Sequence, residues 1–291
     1  MRPIPDSWDD RVPKRINVKR QTQCFHDLFH EGLLAHGFVC QGDQMPTEKK
    51  PNIPQLVAMT RYYRVIDGKI LQSVVCPLRE IDTDKMTVYR NGYMSAPIHT
   101  PVFSLYDDYR MTDPLWGWIG TPIQQRLVDF RFPNMGSKFC ASFSDLYVDD
   151  FRFAMELEKE LFFEQTIPWL EAHKTFESYN QYCITQWDKN DHHGSCSHRY
   201  IWSFLHMHQW DKVLECCNAQ LEGTRKLMER NPKIKFDSCQ KYYLELERCA
   251  LDKDTEYARK RLIENYEKNV KNLLETVPKL KDQLANAHHD L

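Results

Sequence analysis

Between Val18 and His36 the apolar residues Phe25, Leu28, Phe29, Leu33 and Leu34 recur at helical spacing, with polar residues on the opposite face. That pattern predicts an amphipathic helix. Gly37 follows where a helix stop takes a left-handed residue. The period then changes. "RYYRVIDGKILQSVVC", residues 61–76, is two β-rich runs around Asp67-Gly68. An Asp-Gly pair supplies the positive φ angles of a two-residue type I′ turn, so a β-hairpin is predicted. "KMTVYRNGYMS", 85–95, carries a second turn signal at Asn91-Gly92, and "PIHTPVFSL" and "QRLVDFRF" are candidates for further strands. Pro97, Pro101, Pro114, Pro122 and Pro133 cut this region into short pieces and loops.

From Asp149 onward the pattern is helical. Phe153, Leu157, Leu161 and Ile167 mark one face of a helix that Asp149 or Asp150 can cap, and Pro168 is expected to end or kink it near Thr166. "KTFESYNQYCITQWD" is a short helix. "HRYIWSFLHMHQ" and "WDKVLECCNAQLEGTRKLMERN" read as an antiparallel helical hairpin turning near Gln209–Asp211, and "DSCQKYYLELERCALD" is another helix. In the last helix Leu262, Tyr266, Val270, Leu273, Val277, Leu280 and Leu284 step by 4, 4, 3, 4, 3 and 4, close to a heptad seam. The plain reading is a long helix laid along its own neighbours. A homodimer through 255–284 is the rival, and Pro278 counts against it.

These elements predict an α+β fold: an N-terminal helix plus a small antiparallel sheet, followed by an α-helical C-terminal region. The expected divisions are an extended, proline-rich arm over 1–17, an α+β domain over 18–176 and a helical region over 177–291. Length agrees, since 291 residues suggest about two domains.

Composition removes several function classes. The formal net charge of -2 offers no basic surface for nucleic acid. The start "MRPIPDSWDDRVPKR" lacks the apolar run of a signal peptide, and no stretch approaches ~18 uninterrupted apolar residues, so a cytoplasmic chain with no membrane segment is expected. The ten cysteines are scattered and contain no CxxC, which suits buried thiols in a reducing compartment. Glycine is scarce, with 10 residues where average usage gives about 20. Neither a P-loop nor a GxGxxG is present, so the standard routes to nucleotide binding are missing.

Two groups of residues carry candidate chemistry. "DKNDHHGSCSH", 188–198, followed by His206 and His208, is rich in imidazole. His192 or His193 with Cys196 or His198 has the spacing of zinc ligands, and His206 on the following helix can close such a shell. The strong zinc signatures pair CxxC or HExxH with a second, distant pair, and this loop has neither. The expectation is an exposed, metal-free connection between helices. His206 shares a face with Trp202 and belongs at the edge of a core, and His208 lies roughly 200° round the helix from it. The second group is His26-Asp27-Leu28-Phe29-His30. Its imidazoles stand at i and i+4, as in HExxH, with Asp27 in the place of the catalytic glutamate. Aspartate is one methylene shorter, and the interleaved Phe25, Leu28 and Phe29 mark the pair as surface or boundary histidines. No nucleophile motif occurs, and the aromatic-arginine clusters "RYYR", "YDDYR" and "HRYIW" suit core and edge positions of a small sheet better than a nucleic-acid track.

Gly37-Phe38, Tyr62/Tyr63, Asp67-Gly68, Ile70-Leu71-Gln72 and Pro168-Trp169-Leu170 occur in an order that resembles a bacterial family, domain of unknown function 4304, over residues 18–176. The connection from Pro97 to Phe139 is longer and richer in proline than that family suggests. The resemblance implies a fold and a bacterial origin, and it brings no activity. The helical hairpin at 199–230 resembles a tetratricopeptide-type unit, without the ~34-residue period of an array. Absent catalytic motifs and abundant Trp and Tyr point to a non-enzymatic protein-interaction or regulatory module. No cofactor is expected, and a protein is the partner class anticipated. The alternative is a metal-dependent enzyme using His192, His193, Cys196, His198 and His206.

Overall fold

The computed structural model describes residues 18–44, 55–81, 92–95, 102–108, 152, 155, 156, 159, 160, 162–189, 197–231 and 237–285. The chain divides into two compact units, one of residues 1–65, 71–102 and 118–171, the other of residues 66–70, 103–117 and 172–291. The fold class is α+β, as the changes of period predict.

Unit 1 opens with α1, Val18–Ala35, whose Phe25, Leu28, Phe29 and Leu33 are all buried. It stops as the sequence predicts. Gly37 takes φ 78°, Gly37 N–H donates to Leu34 O at 2.9 Å, and Phe38 N–H donates to Leu33 O at 3.0 Å. This paired closure satisfies carbonyls that the helix end leaves open, and it seats Phe38 beside Leu33. The chain then enters an antiparallel sheet in the order β1 (Val39–Gln44), β2 (Gln55–Ile66), β3 (Ile70–Ile81), β4 (Gly92–Ser95), with the short β5 (Val102–Ser104) also paired to β3. The β2–β3 turn has Asp67 at φ 50° and Gly68 at φ 63°, closed by Lys69 N–H on Ile66 O at 3.0 Å, the predicted type I′ geometry. Gly92, half of the second turn signal, is instead the first residue of β4, paired with Ile81 of β3, whereas Asn91 and the run 125–132 lie outside the described residues. Residues 60–65 and 70–76 are buried at every position, so the alternation of a half-exposed hairpin is absent.

That continuous burial takes polar groups inside, where Arg64 and Gln72 find partners, although Arg61 Nε and Arg64 Nη2 have none. Arg64 donates from Nε to Gln72 Oε1 at 2.8 Å and from Nη1 to His36 O at 2.8 Å. It pairs with Glu171 at 2.7 Å and lies 4.6 Å above the Phe38 ring. Gln72 in turn donates to Leu170 O at 2.8 Å. Pro168 does not end its helix. The turn before it widens to a π-helix over Phe162–Thr166, and α2 continues over Ile167–Ala172. The wider turn re-spaces the backbone bonds around a residue that has no N–H to give.

Gly32 lies inside α1 because Phe163 leaves no room there. A Cβ at this position would stand 2.4 Å from Cζ and 2.8 Å from Cε1 of that ring. In an open helix, Gly→Ala stabilises by about 1 kcal/mol. Here overpacking wins, and Gly32→Ala is expected to destabilise by about 1–3 kcal/mol in urea unfolding. Trimming the ring in Gly32→Ala/Phe163→Leu should return most of that loss, and equal stability of wild type and Gly32→Ala would refute the clash.

Unit 2 is helical: α3 (Phe176–Lys189), α4 (Ser197–His206), α5 (Trp210–Arg230), α6 (Asp237–Asp252), α7 (Thr255–Thr276), a 3-10 turn (Pro278–Leu280) and α8 (Lys281–Leu284). Helix α4 packs on α3 and α5, α5 on α6, and α7 on both α4 and α6. The α4–α5 hairpin is present, but its turn comes earlier than Gln209–Asp211, with His208 at φ 53°. The Asp254 side chain accepts from Tyr257 N–H at 2.9 Å and caps α7. Leu262, Tyr266, Leu273, Val277, Leu280 and Leu284 of the seam are buried within the chain, whereas Val270 is half-exposed. Pro278 interrupts the long helix, because Val277 takes φ -136° before the 3-10 turn. Among the described residues no helix is long and apolar enough to cross a membrane.

Candidate metal centre

The i, i+4 spacing puts His26 and His30 on the edge of the α1 face that meets the sheet. Both rings are half-buried, as boundary positions should be. What they meet was invisible in the helix itself. After the Gly37 turn the chain runs back as β1, and alternation places Cys40 on the same side as Phe38. Strand register then sets Cys40 opposite Tyr62. The outcome is a group in which one ligand atom from each of His26, His30 and Cys40 lies within 4.8 Å of the others.

Tyr62 stands beside the group. Its side chain is fully buried, and its hydroxyl lies 2.9 Å from His26 Nδ1 and 2.8 Å from His30 Nδ1. One hydroxyl hydrogen serves one ring, so the other ring presents an Nδ1–H to the oxygen. Phe25 packs edge-on against Tyr62 at 6.1 Å and holds the phenol in place. Cys40 differs from the other described cysteines. Cys24, Cys76, Cys183, Cys216, Cys217 and Cys249 are buried, and Cys40 is intermediate. Burial pushes the Cys24 and Cys249 thiols up to about 11 and Cys183 and Cys217 up to about 12, and it raises Cys216 too. These are inert core groups, as expected of buried thiols.

Two imidazoles and a thiol form a borderline-soft donor set. It suits zinc and its first-row neighbours and does not suit calcium or magnesium, which take hard oxygen ligands. The resemblance to HExxH ends at the two rings. Asp27 is exposed, and its carboxylate accepts a 2.8 Å hydrogen bond from Gln23 Nε2. It turns along the helix surface toward Gln23.

The other imidazole group stands differently. His192, His193 and Cys196 lie outside the described residues, and His198 lies in the first turn of α4. His206 ends α4 with its ring 4.2 Å from that of Phe176 and 6.2 Å from that of Tyr106, at the edge of the unit 2 core. Burial, helped by His208 and Lys69 and opposed by Glu177, lowers its basicity to a pKa of about 4. His208 stacks on Trp210 at 5.3 Å in the following turn.

One more polar group in unit 2 is perturbed. Asp107 is buried in the turn after β5, where Tyr179 Oη donates to Oδ2 at 2.7 Å and Ser104 N–H donates to it at 3.2 Å. Burial pushes its carboxyl up to about 7 against both of those bonds, with Asp108 adding to the rise. Asn265 donates to Tyr106 O at 3.1 Å, and Asn269 donates to Leu105 O at 2.9 Å and Asp107 O at 2.7 Å, so α7 holds the turn by its backbone.

Sequence reasoning reached His26 and His30 and missed Cys40 and Tyr62. The available signal was the helix stop at Gly37, which sends β1 back along α1. No family model, curated protein or solved structure matches this chain.

Proposed function

We propose that the protein is a non-enzymatic regulatory module whose unit 1 holds a zinc-class ion on His26, His30 and Cys40. The convergence of these three side chains from α1 and β1 carries the reading. The half-buried position supports it, since ligand atoms remain reachable from solvent while their rings are held by neighbours. The non-catalytic role is supported by the placement of Asp27, whose carboxylate bonds along the helix surface to Gln23. This departs from the expectation of a chain without metal, because Cys40 supplies the third ligand that the helix lacks.

Elemental analysis of the purified full chain, with zinc supplied and then dialysed away, tests the reading. About one equivalent should be retained in the wild type, and Cys40→Ser and His30→Asn should each lose most of it. Retention that is unchanged in both variants, or no retention in the wild type, overturns the proposal. Retention lost only on substituting His198 or His206 would move the site to the other imidazole group.

A further inference from the structure

The three-ligand set leaves open what occupies the fourth position, and the geometry around Tyr62 answers that. We infer that Tyr62 is the fourth ligand of the ion, so that the centre is closed and ties α1 to the β1–β2 pair. This rests on the metal reading above.

Two ligand atoms about 2.0–2.1 Å from a zinc ion, at a tetrahedral angle, are roughly 3.3 Å apart. The Tyr62 oxygen lies 2.9 Å from His26 Nδ1 and 2.8 Å from His30 Nδ1. Those hydrogen-bond edges are within about half an ångström of coordination edges. The oxygen therefore already stands at a vertex that an ion on the two Nδ1 atoms would require. Cys40 supplies the neighbouring vertex through strand pairing, since Cys40 and Tyr62 are register partners across β1 and β2. The phenol has little freedom to leave, because it is fully buried and packed against Phe25. Without the ion, the imidazoles satisfy the hydroxyl. With it, the same oxygen exchanges its proton for a bond to metal.

The step balances as proton release. A divalent ion displaces the thiol proton of Cys40 and the phenol proton of Tyr62, forms one bond to sulfur and one to oxygen, and passes both protons to solvent. A closed four-ligand shell is the arrangement of structural and regulatory sites, whereas catalytic zinc keeps a position for water. Loading would then fasten the helix carrying His26 and His30 to the strands carrying Cys40 and Tyr62.

Calorimetric titration of the full chain with zinc, in two buffers of different ionisation enthalpy, counts the protons released. Wild type should release one more proton than Tyr62→Phe at the same pH, and the variant should bind at least tenfold more weakly. Zinc added to the wild type should also produce the ultraviolet difference band of tyrosinate, a readout that needs no variant. Zinc binding with equal proton counts, equal affinity and no tyrosinate band overturns the inference and leaves a three-ligand centre. No binding by either protein overturns the metal reading itself.

Discussion

Between pH 4 and 6.5 the stability of unit 2 is expected to tilt in opposite directions in Asp107→Asn and His206→Phe. Two buried groups cause this. The Asp107 carboxyl rises from 3.8 to about 7 on folding. Between those values the folded state holds a proton that the unfolded chain has lost, so stability is greatest at low pH and falls as pH rises toward 7. His206 drops from 6.5 to about 4. Between those values the unfolded chain holds a proton that the folded state refuses, so stability falls as pH falls. The two slopes oppose each other over their shared window. The Asp107 swing is about 4 kcal/mol, and that of the half-exposed His206 is at most about 3 kcal/mol. Asparagine keeps an acceptor for Tyr179 and Ser104 but does not titrate. Asp107→Asn should therefore lose stability as pH falls from 6.5 to 4, and it should exceed wild type at pH 8. His206→Phe should lose stability as pH rises from 4 to 7. Denaturant unfolding of the three proteins across pH 4–8 checks this, and three parallel profiles would sink it.

The second large effect belongs to Arg64. Its guanidinium is buried, with side-chain exposure of 8%, and it joins three segments of unit 1 through His36 O, Gln72 Oε1 and Glu171. Removing one partner of a buried pair leaves groups without compensation and costs about 3–5 kcal/mol. Arg64→Met is expected near the lower end, because Glu171, at 39% exposure, can turn toward water. Gln72, which is fully buried, cannot. Arg64→Lys should recover only part of the loss, since an ammonium lacks the fork that meets these acceptors from fixed directions. Urea midpoints with unchanged slopes would measure it. A loss below about 1 kcal/mol in Arg64→Met would show that the network is replaceable by apolar packing.

Much of the fold was legible because its signals are local. The 3.6-residue spacing of Phe25, Leu28, Phe29 and Leu33 specifies α1, Gly37 its end and Asp67-Gly68 the hairpin, since each depends on backbone preferences within a few residues. The seam of α7 and α8 was legible except at Val270, which periodicity places inside and packing leaves half-exposed. Pro168 shows the limit of a local rule. Its missing N–H argues for a stop or a kink near Thr166; a π-turn over Phe162–Thr166 stands at that place and the helix proceeds from it, with the buried Phe162, Ile167 and Leu170 stabilising the continuation.

The sites depended on distance along the chain. His26 and His30 announce a pair of imidazoles on a helix, and that much is sequence. Cys40 and Tyr62 join them only because Gly37 reverses the chain and register pairs two strands across a 22-residue separation, which no periodicity encodes. Asp107 likewise looks like a loop carboxylate until Tyr179 and Asn269 enclose it. The sequence by itself determined the elements and their apolar faces. Tertiary structure decided which polar groups those faces bring together, because register, burial and the resulting loss of water act between segments that no local pattern connects.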